Sequence, residues 1–457
     1  MCKKSKSLII SLIIFSNKMK ILFIIVLLVA FFSTNKLSAQ VNFKCGVGFT
    51  PKQYDLPGYN ELIDTIKSNF RFTQQFFTMK WAVLQGINLD TAYNQGVQNQ
   101  INNYLIDLIH QNNIDLLISL DITFSNNRQK LNIPDTCSGV PCDSLFQQMS
   151  VKQAYINEVA YIARKYKPAY FALAVEIDEY IRVSQPAERN ALLQAISIAI
   201  DSVKNIDPTI KTFVYFQFEN TKCKNLWNTI KPFADISDIY GFSSYPSAIG
   251  AYCSGTQPIF GSNLPNDYYD TVATIWGNQK PIAFAEIGEP SDSNYILPVA
   301  SEQNQKNFIE KLKISVSDLK IDFINWIYLY DVNLPDSLGG NYFNSMGLLR
   351  YLSGIAKLGY PSFRCDSIIP YFINDNYTIT SKNFTFYPNP CNNIINLHIP
   401  ITDCQIKILD LLGNIVYEKN LTSEYETIKL YLQNGFYFIC FMQDNKIIAT
   451  NKLIINN

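Results

Sequence analysis

From residue 41 onward, short apolar runs alternate with longer stretches in which apolar positions recur every three or four residues. The runs cover 41–49, 70–79, 114–122, 169–176, 212–218, 236–243, 281–286 and 321–330. Most are β-branched or aromatic and nearly continuous in apolar character, the pattern of parallel strands covered on both faces. Between them, Ala154, Ile156, Val159, Ala160, Ile162 and Ala163 line one helix face. Leu192, Leu193, Ala195, Ile196, Ala199, Ile200 and Val203 line a second, stopped by Asp207-Pro208, and Phe308, Ile309, Leu312, Val316 and Leu319 a third. Weaker helical periodicity covers 58–68, 91–112, 222–233 and 266–278.

Eight strand–helix units over about 325 residues predict an α/β fold, the (β/α)8 or TIM barrel. A doubly wound open sheet would begin with a glycine-rich phosphate turn. Gly46 and Gly48 supply only two of its three glycines, and Pro51 spoils the helix start. In a barrel, chemistry belongs at the C-terminal ends of the strands. Two apolar runs end there in glutamate: 170–175 leads into Glu176-Ile177-Asp178-Glu179, and 281–285 into Glu286-Ile287-Gly288-Glu289. Two carboxyls about 5 Å apart across one mouth let one attack an anomeric carbon while the other protonates the leaving oxygen. Asp178, Glu179 and Glu289 read as helix caps or loop residues.

Composition narrows the chemistry further. Lys+Arg and Asp+Glu both number 38, so no basic excess points to nucleic acid. Two histidines, His110 and His398, leave little room for Ser-His-Asp hydrolysis or histidine-ligated metals. No CxxC pair occurs, and no metal or organic cofactor is expected. Lys80 follows the second apolar run, but without a phosphate-binding glycine loop to support Schiff-base chemistry. Lys80 and its neighbour Trp81 are instead candidates for a substrate groove.

These segments resemble clan A of the glycoside hydrolases, with family 53-like endo-galactanases among the relatives. Leu173-Ala174-Val175-Glu176-Ile177-Asp178 is similar to the clan's acid/base segment, and Ala285-Glu286-Ile287-Gly288-Glu289-Pro290 to its nucleophile segment. Asp238-Ile239-Tyr240-Gly241-Phe242-Ser243-Ser244-Tyr245-Pro246 resembles its strand-six stretch. The resemblance covers roughly residues 41 to 360. It implies retaining hydrolysis of a β-linked polysaccharide or oligosaccharide, with Glu176 as acid/base and Glu286 as nucleophile. Tyr245 would orient the nucleophile, and Trp326 would form a sugar platform. Where the clan usually has Asn before the acid/base, this chain has Val175, which cannot bond a sugar 2-hydroxyl. Gln217 and Glu219, ending the fifth run, are candidates to replace it. The alternative is a non-catalytic glycan-binding or adhesive barrel.

After about residue 361 the pattern changes. Residues 362–383 are turn-rich and read as a linker, and 384–457 show the short alternating strands of a small all-β sandwich. Tyr387-Pro388-Asn389-Pro390, Asp410-Leu411-Leu412-Gly413, Gly435-Phe436-Tyr437-Phe438 and Lys452-Leu453-Ile454-Ile455 resemble, in order, the type IX secretion C-terminal sorting domain. That resemblance implies handling by the type IX machinery and a secreted or cell-surface protein.

At the other end, Lys18 and Lys20 precede the apolar run 21–32 and the small-residue site Leu37-Ser38-Ala39, so residues 1–39 read as a signal peptide, with Met19 an alternative start. The expected order is leader, barrel over 40–361, linker and sandwich. The protein is expected to be monomeric and to touch a membrane only by surface attachment. Beyond the leader lie nine of the ten cysteines, of which Cys137 and Cys142 bracket a loop short enough to close as a disulfide.

Overall fold

In the computed structural model, the described residues are 43–364, apart from 138–139, 295–296 and 337–338, and 385–456, apart from 390, 399–403, 411–414, 424 and 444–445. The leader and most of the linker lie outside them. The chain divides into two units, one ending at Pro370 and the other beginning at Tyr371.

The first unit is a closed parallel barrel. Its strands are β1 (Lys44–Gly48), β2 (Phe72–Thr78), β3 (Asp115–Asp121), β4 (Tyr170–Ala172), β5 in two pieces (Lys211–Phe213 and Tyr215–Gln217), β6 (Tyr240–Ser244), β7 (Ile282–Ile287) and β8 (Ile321–Trp326). Each pairs in parallel with the next, and β8 pairs with β1. The fifth run, expected to be continuous, is interrupted at Val214: its first piece pairs with β4 and its second with β6. The interruption completes the ring, because each piece serves one neighbour.

Around the barrel stand α1 (Leu56–Asn69), α2 (Val97–Gln111), α3 (Met149–Tyr166), α4 (Pro186–Ile206), α5 (Trp227–Asp235), α6 (Asp270–Trp276), α7 (Glu302–Ser315) and the short α8 (Tyr360–Phe363). The periodicity over 91–112 suggests one helix. The structure breaks it at Gly96, whose φ of 87° is open to glycine and costly for other residues, leaving a one-turn helix, Leu89–Asn94, ahead of α2. The helices bury stripes such as Leu192, Ala195, Ile196, Ala199 and Val203 of α4 against the outward side chains of the strands. Each leucine, isoleucine or valine among them contributes about 1.5–3 kcal/mol, and each alanine less. Phe363 packs on Trp326 and Phe70, so the barrel's core reaches two residues into the stretch read as linker.

Inside the barrel, Phe72, Tyr170, Phe213 and Phe323 form an aromatic layer, with ring centroids of neighbouring pairs 4.8–5.9 Å apart. Gly46 makes room for it, since a Cβ there would lie 2.2 Å from the Phe72 ring. One step along the strands, Asn325 donates to Gln74 and Gln74 to Ser119, at 2.5 and 2.7 Å. Interior polar groups therefore begin below the mouth; their amide nitrogens are paired, while the buried Asn325 Oδ1 has no hydrogen-bond partner among the described residues.

The second unit comprises β9 (Thr385–Tyr387), β10 (Ile394–His398), β11 (Cys404–Leu409), β12 (Ile415–Leu421), β13 (Tyr425–Lys429), β14 (Gly435–Gln443) and β15 (Lys446–Ile455). They form two antiparallel sheets, ordered β9-β10-β13 and β12-β11-β14-β15. Alternate residues, among them Ile395, Leu397, Ile406, Ile408, Ile439 and Phe441, are buried in its core. This is the period-two arrangement of a sandwich. No helix among the described residues is long and apolar enough to cross a membrane.

Candidate active site

Strict alternation along β7 would send Glu286 outward, because Ala283 and Ala285 already face the barrel interior. A bulge intervenes. Against β8, Phe284 pairs with Ile324 and Ile287 with Trp326, so three steps on one strand oppose two on the other. The extra residue turns the Glu286 carboxyl into the mouth, as bulges beside active sites commonly do. β4 makes a similar adjustment: Leu173 N–H bonds Phe213 O while Tyr215 N–H bonds Ala174 O, accommodating one residue more than a regular ladder. Glu176 follows with φ of 45°, a strained value for a residue with a Cβ.

These irregularities bring the two glutamates to one place. Glu176 Oε1 accepts from Ser243 Oγ at 2.6 Å, and Ser243 is the in-register partner of Glu286 across the β6–β7 pair. Glu286 accepts hydrogen bonds from Tyr215 Oη on one oxygen and from Tyr245 Oη on the other, the latter at 2.8 Å. Burial pushes the Glu286 carboxyl up to about 7, and the neighbouring Glu176 charge adds to the rise; the two phenols and Arg128 pull the other way.

Arg128 is a group the sequence did not reveal. It sits on a hairpin, Thr123–Phe124 with Asn127–Leu131, inserted between β3 and α3. Its Nη1 lies 2.5 Å from Asp121 Oδ2 and 3.1 Å from Thr123 Oγ1, and its Nε lies 3.3 Å from Glu176 Oε2. Cys137 and Cys142 form a disulfide in the same insert, closing a second small hairpin. A second disulfide, Cys223–Cys253, ties the loop after β5 to the loop after β6.

Several expected site residues have other duties. Trp326 is fully buried, donates its indole N–H to Met346 O at 2.6 Å and packs on Phe308 and Phe363. It belongs to the layer between barrel and helices, so it offers no face to a sugar. Trp81 is likewise buried, bonded to Asn132 Oδ1 at 2.6 Å and packed on Phe146. Lys80 directs its ammonium to Ala92 O, on the short helix ahead of α2, and to Asn99 Oδ1 in the first turn of α2, at 2.7 and 2.6 Å. Neither residue lines a groove at the glutamates.

Gln217 caps the short helix Phe218–Cys223 by accepting from Asn220 N–H at 2.6 Å, and it donates to Glu219. Glu219 is completely buried and also accepts from Ser244 Oγ, Tyr268 Oη and Tyr245 N–H, at 2.7, 3.2 and 3.0 Å. Their polar atoms are thus engaged in bracing Tyr245 rather than turned to a sugar hydroxyl. Val175 packs in the barrel interior among Ala172, Tyr215 and Ala285. Asp178, expected as a cap of its own helix, instead accepts from Gln217 N–H at 2.9 Å and from the Asn220 amide, joining the ends of β4 and β5. Burial raises its carboxyl to about 6.

The fold and the second unit agree with known proteins. The barrel has the fold of the clan A glycoside hydrolases. A GH5_18 protein from Streptomyces cattleya in complex with Manb1-4GlcNAc is 14% identical over 70% of this chain and 79% of its own, with a TM-score of 0.51. The GH5_18 protein from Bifidobacterium longum subsp. longum ATCC 55813 is 14% identical over 70% and 78%, also at 0.51. At these identities the likeness is one of fold. No curated protein matches the chain. Residues 385–456 match the secretion system C-terminal sorting domain, so the sandwich is a type IX sorting domain and marks the protein for the cell surface or the extracellular space.

Proposed function

We propose that the barrel is a retaining glycoside hydrolase of a β-linked glycan, with Glu176 as acid/base and Glu286 as nucleophile. The observation that carries this reading is the meeting of the two carboxyls. They come from strands β4 and β7, each is turned inward by a backbone irregularity, and the Glu176 charge helps to raise the Glu286 carboxyl. Attack requires Glu286 as carboxylate, and the Tyr215 and Tyr245 hydroxyls stabilise that form. Departure of the leaving oxygen requires a proton on Glu176, which then acts as base toward water in the second step. Because the Glu176 charge raises the Glu286 carboxyl, two such neighbouring groups lose their protons in succession rather than together.

The test is a panel of β-linked polysaccharides and oligosaccharides offered to wild type and to Glu286→Gln. Hydrolysis with retained anomeric configuration by wild type, and none by the variant, is expected. Equal hydrolysis by both would refute the assignment. A second reading, a barrel that binds glycan without cleaving it, is favoured by one observation. Val175 offers no polar atom, and the polar groups of Gln217 and Glu219 are already engaged. It predicts sugar binding without bond cleavage, with affinity unchanged in Glu286→Gln.

A further inference from the structure

Arg128 makes contacts that the proposed hydrolysis does not itself require. A guanidinium with four-fifths of its side chain buried is ordered by Asp121 and Thr123 and reaches the carboxylate assigned to proton donation. Asp121 is itself aimed, accepting from Thr123 N–H and Thr123 Oγ1 at 3.0 and 3.1 Å through its other oxygen. The hairpin therefore presents Nε of Arg128 toward Glu176 from a fixed base, with Asp121 absorbing part of its charge.

We propose that Arg128 is a positioning residue for Glu176, aiming its carboxyl and favouring the charged form through the Nε contact. This rests on the glutamate roles proposed above.

The groups facing Glu176 from each side fit that role. Arg128 approaches from the hairpin and Ser243 Oγ donates from β6; both favour the charged carboxylate. Glu286 on β7, Asp178 on its own segment and Asp121 behind Arg128 oppose it as negative charges. Tyr215, Tyr245 and Tyr252 feel the Glu176 charge as neutral phenols whose ionisation burial opposes. Of these groups only Arg128 is cationic.

The experiment titrates the side-chain carboxyl carbons of 13C-glutamate-labelled protein by NMR in wild type, Arg128→Met and Arg128→Lys, with Glu176→Gln to assign the signal. The pH dependence of kcat/KM is measured in parallel on a glycan that the wild type hydrolyses. Removing a cation at this range raises a carboxyl by about 1–3 pH units. The expected result is an upward shift of at least one unit for Glu176 in Arg128→Met, with the alkaline limb of the rate profile moving the same way. Arg128→Lys should lie closer to wild type. Arg128→Gln replaces Arg128→Met should the latter fail to fold, as judged by circular dichroism. An unchanged Glu176 titration in a folded neutral variant would overturn the proposal. If wild type hydrolyses nothing, the two-glutamate reading fails, but the NMR titration still decides the role of Arg128.

Discussion

Ser243 Oγ lies 2.6 Å from Glu176 Oε1, and the same serine pairs in register with Glu286. One residue of β6 thus fixes the lateral spacing of the two carboxyls. A neutral donor on a carboxylate contributes about 1.5–3 kcal/mol. Ser243→Ala is expected to lower kcat/KM roughly tenfold or more on the best glycan found, with a melting temperature close to wild type. An unchanged rate would show that Glu176 is aimed by Arg128 alone.

Glu286 makes stability depend on pH in a definite direction. Its folded-state pKa of about 7 lies above the ordinary 4.5, so the folded protein keeps a proton that the unfolded chain releases. The associated stability is fully present below about pH 4.5 and is lost as pH rises through 7, amounting to roughly 3 kcal/mol. Glu286→Gln cannot ionise. Its advantage over wild type in thermal melts should grow steadily between pH 5 and pH 8, even as activity disappears. Parallel curves for the two proteins would contradict the raised carboxyl. The raised groups elsewhere, such as Asp178, cancel in this difference.

The barrel was legible because its strands are buried on both faces, so their apolar runs stand out in one dimension. Glu176 and Glu286 were legible for the same reason, as polar residues that end such runs. The inward turn of Glu286 was not, because it depends on a bulge set by pairing with β8, and a continuously apolar run shows no alternation from which a bulge could be read. Arg128 stayed hidden in a polar insert without periodicity, where its partners Asp121 and Glu176 are identified only by folding. Trp326 misled in the opposite way. An aromatic ending a strand suits either a sugar or the helix layer, and α7 and α8 supply Phe308 and Phe363 to cover it.

The Cys223–Cys253 disulfide closes a 30-residue separation and joins the segments that carry Glu219 and Tyr245. Loop-closure entropy for that length corresponds to roughly 3.5 kcal/mol in the chain-entropy model. The paired change Cys223→Ser with Cys253→Ser should lower the denaturation midpoint by an equivalent amount. Retention of the wild-type midpoint would mean that packing alone holds the two loops.

The sorting domain makes a prediction independent of the chemistry. Residues 385–456 have their own two-sheet core, and none of the candidate catalytic groups lies within them. A chain ending at residue 384 is expected to remain inside the outer membrane, whereas the full chain reaches the surface or the medium. Fractionation and immunoblotting of the producing cells decide it; equal export of both forms would deny the sandwich a sorting role.

Glu219 offers the sharpest separation of architecture from chemistry. It is fully buried and collects donors from Gln217, Ser244, Tyr245 and Tyr268, and burial raises its carboxyl. Glu219→Ala leaves these donors facing a cavity. Each buried polar group without a partner costs about 1–3 kcal/mol, so a loss of about 3 kcal/mol or more is expected in chemical denaturation. Glu418, whose side chain is 54% exposed, provides the control, and Glu418→Ala should stay within about 0.5 kcal/mol. The effect on turnover follows from geometry. Tyr245 N–H loses its anchor, so the hydroxyl that stabilises the Glu286 carboxylate is no longer held at 2.8 Å. Under conditions where the variant remains folded, kcat should fall while KM changes little, because Glu219 touches Tyr245 and not the sugar. A rise in KM at constant kcat would instead place Glu219 in contact with substrate.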